Sequence, residues 1–98
     1  MKNLNELQSL LESRCDYRID ITTNLLKGIQ VLKNAKKLVV LNEEINILEE
    51  LIADSPTKSK LISIKERKLK YILDTDVVGE ERLLQYKAEV NLINWILS

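Results

Sequence analysis

The sequence predicts an all-α fold, either an antiparallel helical hairpin or a four-helix bundle, which oligomerisation could complete. Three observations lead to this prediction. The 98 residues include only two glycines and one proline, so few positions favour a tight turn or a helix break. Apolar residues recur at intervals of three and four along most of the chain. Near the middle, Asp54-Ser55-Pro56-Thr57 predicts one reversal of chain direction.

A short helix is predicted first, from Asn3 to Arg14, within a single domain that covers residues 1–98. Asn3 and Glu6 form a capping-box pattern, and the leucines that follow share one helical face. From Cys15 to Asn24 the pattern weakens, because β-branched residues and aspartates disfavour the interior of a helix. A bend or break near Asp20 is therefore expected.

Two long arms are predicted after this helix, over residues 20–53 and 57–97. The first arm carries an apolar stripe that includes Leu41, Ile45 and Leu48. The arms are separated by a turn at residues 54–57, where Pro56 suits the first position of a helix capped by Ser55. Residues 74–79 suit helix caps, which predicts a break in the second arm near Asp76.

The order of charges predicts that the two arms lie antiparallel. A fold at the central turn places residue i opposite residue number about 111 minus i, because the helical rise is equal on both sides. The acidic segment 43–54 then faces the basic segment 58–68. Apolar residues that lie off this seam, such as Val39, Ile47 and Trp95, need a further cover from the same chain or from a copy.

Composition excludes several classes of function. Fifteen basic residues balance fifteen acidic ones, so no net field draws the chain to nucleic acid or to an anionic membrane. There is no histidine and Cys15 is the only cysteine, which removes the pairs that zinc sites and thiol nucleophiles require. We therefore expect no enzyme, no cofactor, no metal and no small-molecule substrate. The absence of an apolar leader or spanning run predicts a cytoplasmic or virion location without membrane contact.

A basic segment on the second arm suggests one alternative function. The segment 58–70 carries six basic residues and one acid, Glu66, and such a row can contact phosphates. The same residues can instead pair with the acidic arm. Nucleic-acid binding is thus an alternative that is not favoured, and its candidate residues are Lys58, Lys60, Arg67, Lys68 and Lys70.

The C-terminal helix carries the residues that we predict to bind a partner. Tryptophan is enriched in the residues that dominate binding energy, which makes Trp95 the first candidate. Its neighbours on the helix complete the predicted set, which is Tyr86, Leu92, Trp95 and Ile96. Trp95 could equally anchor this helix within the same chain, near Tyr17.

The same C-terminal stretch carries a resemblance. It reads Leu84-Gln85-Tyr86-Lys87-Ala88-Glu89-Val90-Asn91-Leu92-Ile93-Asn94-Trp95-Ile96-Leu97 and resembles the endings of small helical proteins of unassigned role encoded in bacteriophage genomes. The resemblance implies a virion or host-takeover protein and assigns no site residue. We predict a non-enzymatic interaction or assembly protein that acts through apolar helix faces, with a copy of itself or another helical protein as partner. A cytosolic immunity-type or inhibitor protein is a further alternative.

Overall fold

The computed structural model describes residues 1–74 and 79–98, which form four α-helices. Their bounds are α1, Leu4–Leu26; α2, Val31–Asp54; α3, Lys58–Leu73; and α4, Glu80–Leu97. The prediction of an all-α helical bundle is confirmed. The predicted break at residues 74–79 lies mostly outside the described residues, because Thr75 to Val78 are not described. The described helices on either side end at Leu73 and begin at Glu80.

Helix α1 begins where the sequence predicts and continues far beyond the predicted end. The Asn3 side chain accepts a hydrogen bond from the backbone N–H of Glu6, at 2.9 Å, and the Glu6 carboxylate accepts one from the N–H of Asn3. The predicted end at Arg14 and the predicted break near Asp20 are wrong, because the helix runs to Leu26. Ile21 is 3% exposed in this stretch, so packing against α2 outweighs the weak local propensity.

The real break lies at residues 27–30, inside the predicted first arm. The amide of Gly28 donates to the carbonyl of Leu25, and the amide of Ile29 donates to that of Asn24. This pair of bonds is a Schellman motif, which places a left-handed residue directly after the helix. Gly28 supplies it with φ 74°. The predicted continuous arm over residues 20–53 is therefore two helices.

The four helices pack in an order that the charge pattern does not predict. The extensive contacts are those of α1 with α2, of α2 with α4, and of α4 with α3. Helix α4 has buried residues on several sides, whereas α3 buries one face, so α4 takes the inner position and α3 the edge. Glu44 accordingly pairs with Arg14 of α1 at 2.9 Å. The charge order also places Lys36 opposite the acids near residue 80, and Lys36 does pair with Glu80 of α4 at 3.3 Å.

The main hydrophobic core lies at one end of the molecule. Its buried residues come from the start of α1, the end of α2, the start of α3 and the end of α4; they are Leu7, Leu48, Leu51, Leu61, Leu92, Ile93 and Ile96. We call this the closed end. The amide of Lys2 donates to the carbonyl of Ile96 at 2.7 Å, which ties both termini into it. The open end is the opposite one, where α1 and α3 finish and α2 and α4 begin.

The molecule is flat and more open than a compact chain of its length. Its principal extents are 43 × 38 × 19 Å, whereas a square bundle with helices about 8–10 Å apart would have two similar short dimensions. The radius of gyration is 14.4 Å, against about 12.6 Å expected for 98 residues. The accessible surface is 6460 Å², against about 5,800 Å² for a compact monomer of this mass.

Candidate interaction surface

Large apolar side chains are exposed at the open end. Leu26 is 85% exposed, Leu32 is 81% exposed and Leu73 is 83% exposed. Ile29 and Val31, which lie between the first two, are each about half exposed. Single exposed leucines are common, but apolar residues that follow one another around one turn form a patch, and patches of this kind mark binding sites.

The turn that carries this patch is held in place by a buried side chain. Asn34 is 4% exposed, and its Nδ2 donates to the carbonyl oxygen of Ile29 at 2.7 Å. Gln30 caps α2 with φ 41°, a left-handed conformation that a residue other than glycine adopts at some cost. These contacts restrict the backbone of the turn, and a restricted backbone loses less entropy on binding.

A groove between α2 and α4 continues the patch. It has a volume of about 360 Å³, and its apolar walls are formed by Leu32, Ala35, Val39 and Leu84. Charged residues surround it; they are Lys36, Glu80 and Glu81. An apolar floor within a charged rim is the usual composition of a protein interface. We call the patch and the groove together the open-end surface.

The two sides of this groove carry opposite charges. Lys36 lines the α2 side, with Lys33 exposed about one turn earlier on the same helix, and Glu80 and Glu81 line the α4 side. Lys36 Nζ lies 3.3 Å from Glu80 Oε1, with side chains 64% and 77% exposed. A pair this exposed to water contributes about 0–1 kcal/mol, so it does not hold the groove shut.

A largely buried cluster of charged residues joins α2, α3 and α4. Lys68 Nζ lies 3.2 Å from Glu89 Oε2, and these side chains are only 19% and 13% exposed. The same ammonium lies 4.6 Å from the ring centroid of Tyr86 and 5.8 Å from that of Tyr71. The cluster therefore holds the edge helix α3 to α4 through an ion pair and cation–π contacts.

Glu43 of α2 completes this cluster and has a shifted pKa. Burial raises its pKa from 4.5 to about 7, helped by a hydrogen bond with Glu89 and by repulsion from it, while Lys68 and Arg82 act in the opposite direction. Among the described residues, the buried Glu89 Oε2 has the Lys68 ammonium 3.2 Å away but no hydrogen-bond partner. A proton on Glu43 provides a donor to this carboxylate.

The predicted partner-binding residues of α4 lie mostly inside the molecule. Leu92 is 4% exposed and Ile96 is 1% exposed, so, contrary to the prediction, these two side chains offer no surface to a partner. Tyr86 packs on Lys68. Trp95 is half-buried beside Leu10 and Arg14 of α1, which corresponds to the alternative of an intramolecular anchor. The anchor lies toward the start of α1 and not near Tyr17.

The predicted nucleic-acid-binding residues do not form one row. Lys58, Lys60, Arg67 and Lys70 are exposed on α3, while Lys68 turns inward to Glu89. At 3.6 residues per turn, Lys60 and Arg67 share a side of the helix, whereas Lys58 lies about 160° from Lys60. Lys68 is thus unavailable to a ligand, and of the remaining four Lys58 points away from the side that carries Lys60, Arg67 and Lys70.

Sequence reasoning missed the open-end surface. It placed residues 26–32 inside a long helical arm, where Leu32 and Ile29 belong to an apolar stripe. The pattern that could have revealed the turn is Gly28 directly after a helical run, a typical position for a helix-ending glycine. The burial of Asn34 has no counterpart in the sequence pattern, since asparagine is mostly exposed.

Comparison with known proteins adds no family assignment. No protein-family model, no curated protein and no solved structure matches this chain. In residues 1–74 and 79–98, none of the helices has the length and apolarity needed to cross a membrane. The same residues bring together no group of three or more histidine, cysteine or acidic side chains in a metal-binding arrangement.

Proposed function

We propose that this protein is a non-enzymatic interaction or assembly protein that binds a helical protein surface through its open end. The observation that supports this proposal is the exposure of Leu26 and Leu32, which flank the anchored turn at residues 27–30, beside an apolar groove. The non-enzymatic part rests on composition, since the chain has no histidine and one cysteine. The setting within the proposal is the bacterial cytoplasm or a virion, as the resemblance of Leu84–Leu97 to bacteriophage-encoded proteins implies.

The energetic basis of the proposal is the burial of these side chains by a partner. Full burial of one leucine side chain is worth about 1.5–3 kcal/mol, and two neighbouring leucines on one turn provide a central anchor. The groove next to them accepts an apolar side chain from the partner. The charged rim supplies specificity and orientation more than affinity.

Site-specific photo-crosslinking in cells tests the proposal. A benzophenone amino acid at position 32 should give crosslinked products, because Leu32 lies at the centre of the open-end surface. The matched control is position 4, since Leu4 is also apolar and is 55% exposed, but lies at the closed end. Equal crosslinking from the two positions, or none from position 32, would contradict the proposal.

The nucleic-acid-binding alternative has less support. One of its five candidate residues, Lys68, is engaged by Glu89 and two tyrosine rings. Lys60, Arg67 and Lys70 remain exposed on one side of α3. Three cations on a chain without net charge provide a weak and strongly salt-dependent attraction for phosphates.

A further inference from the structure

We propose that the occupant of the open-end surface is a second copy of this chain, bound across a two-fold axis. The inference rests on the proposed function, because it names the partner of the same surface. It draws on three properties of the described residues: the area left exposed, the arrangement of charge around the groove, and the rigidity of the turn.

The exposed area is close to what one side of a dimer interface buries. The accessible surface of 6460 Å² exceeds the roughly 5,800 Å² of a compact monomer by about 660 Å². A stable interface removes about 800 Å² from each partner. Three leucines that are more than 80% exposed all lie at the open end. The surplus of the whole molecule is comparable with one side of a dimer interface, and three highly exposed leucines of the open end contribute to it.

The charges around the groove are complementary to themselves under a two-fold rotation. In a symmetric dimer both copies contribute the same surface patch. The α2 side of one groove therefore faces the α4 side of the partner's groove, and the reverse. Lys33 and Lys36 of one copy then face Glu80 and Glu81 of the other, and the reverse contact forms as well. The chain has no net charge, so no long-range repulsion opposes the approach of two copies.

The anchored turn supplies the apolar centre of this contact. Residues 27–30 are fixed by the Schellman motif and by the hydrogen bond from Asn34 to Ile29. Leu32 belongs both to the patch and to the groove wall. It therefore lies where the two copies meet in the proposed dimer. A rigid patch beside a groove can dock without first becoming ordered.

Paired charge reversals distinguish a second copy from any other partner. The variants Lys33→Glu/Lys36→Glu and Glu80→Lys/Glu81→Lys each place like charges face to face in the dimer. Each variant alone should associate at least about tenfold more weakly than the wild type at low salt, since facing like charges cost several kcal/mol. An equimolar mixture should recover a dimer of twice 11.4 kDa, because all facing charges are then opposite. Sedimentation equilibrium measures both effects.

A substitution in the apolar centre provides the second measurement. Leu32→Glu should abolish the wild-type dimer, because it places a charge without a partner in a desolvated interface. Leu4→Glu is the matched control and should leave the dimer unchanged. Both positions are exposed, so the helical circular dichroism spectrum should be retained in both variants, which separates loss of association from loss of fold.

Several outcomes would overturn the dimer. They are a monomeric wild type up to hundreds of micromolar, a charge-variant mixture that associates no better than its components, and an effect of Leu4→Glu equal to that of Leu32→Glu. Crosslinks from position 32 to a different protein alone would also overturn the dimer but would leave the proposed interaction function intact. An absence of any crosslink from position 32, by contrast, removes the proposed function itself.

Discussion

The carboxyl group of Glu43 shows how three helices determine the protonation of one residue. Burial between helices penalises its charged form, and the neighbouring carboxylate of Glu89 adds to this penalty. Lys68 and Arg82 reduce the penalty but do not cancel it, so the pKa of Glu43 remains near 7. The protonated form of Glu43 can donate a hydrogen bond to Glu89, which makes it the better-matched form in the folded chain.

This shift makes folding stability depend on pH in a definite direction. The pKa of Glu43 is higher in the folded chain, at about 7, than its ordinary value of 4.5, so the folded state binds more protons and unfolding becomes easier as pH rises between these values. Glu43→Gln should remove this dependence and raise stability at alkaline pH. Urea unfolding at about pH 5.5 and about pH 8 measures the slope. Glu49→Gln, at an exposed position, is the control; a slope in Glu43→Gln equal to that of the wild type would contradict the assignment.

Asn34 has a structural role that its residue type does not suggest. Asn34→Ala should destabilise the chain by about 1–3 kcal/mol, because the carbonyl of Ile29 loses the donor that satisfies it. Asn46 lies exposed on the same helix. Asn46→Ala should leave stability equal or slightly higher, since alanine has the better helix propensity. Chemical denaturation of the two variants compares them directly, and equal effects would show that the Asn34 hydrogen bond contributes nothing.

At the scale of elements, the sequence predicts what local chemistry determines and misses what tertiary packing determines. The cap at Asn3 and the turn near Pro56 follow from capping and proline rules. The predicted cap of the next helix is wrong, because α3 begins at Lys58 and is capped by Thr57, while Ser55 ends α2. The continuation of α1 past Arg14 depends on burial of Ile21 against α2, which no local pattern reveals. The inner position of α4 and the resulting burial of Leu92 and Ile96 likewise depend on the whole packing arrangement.

The open-end surface illustrates the same limit for the candidate site. An apolar residue on a helical stripe is ordinarily expected to be buried, and Leu32 lies on such a stripe. Its exposure results from the break at residues 27–30 and from the concentration of the core at the opposite end. Sequence periodicity identifies apolar residues but does not tell whether the same chain covers them.

Gly28 provides a test at the scale of the α1–α2 connection. A Cβ at this position would meet no atom within 4 Å, but its φ of 74° is unfavourable for a side chain. Gly28→Ala should therefore lower the free energy of unfolding by about 1 kcal/mol through backbone conformation alone. Gly28→Asn should lose less, because asparagine tolerates left-handed backbone. Thermal unfolding compares the pair; an alanine variant as stable as the asparagine variant would argue against the Schellman turn.

At the scale of the whole molecule, the main hydrophobic core and the proposed binding surface lie at opposite ends. The closed end contains seven buried residues from all four helices. The residues before the first helix are also joined there to the last helix by the hydrogen bond from Lys2 to Ile96. The open end contains the exposed leucines, the groove and the complementary charges. A fold secured at one end can present apolar residues at the other without losing its structure.

This separation predicts that two leucine-to-alanine substitutions change the free energy of unfolding by very different amounts. Leu48 is fully buried at the closed end and Leu32 is 81% exposed at the open end. Leu48→Ala should lower the free energy of unfolding by about 2–5 kcal/mol, because it leaves a cavity in the core. Leu32→Ala should change it by less than about 0.5 kcal/mol when measured at a dilution that keeps the chain monomeric.

At high concentration the melting temperature of the wild type should rise, since association stabilises the folded state, and Leu32→Ala should reduce this rise. Calorimetry over a range of protein concentrations separates the two effects, and a large loss of monomer stability in Leu32→Ala would show that the open end belongs to the core.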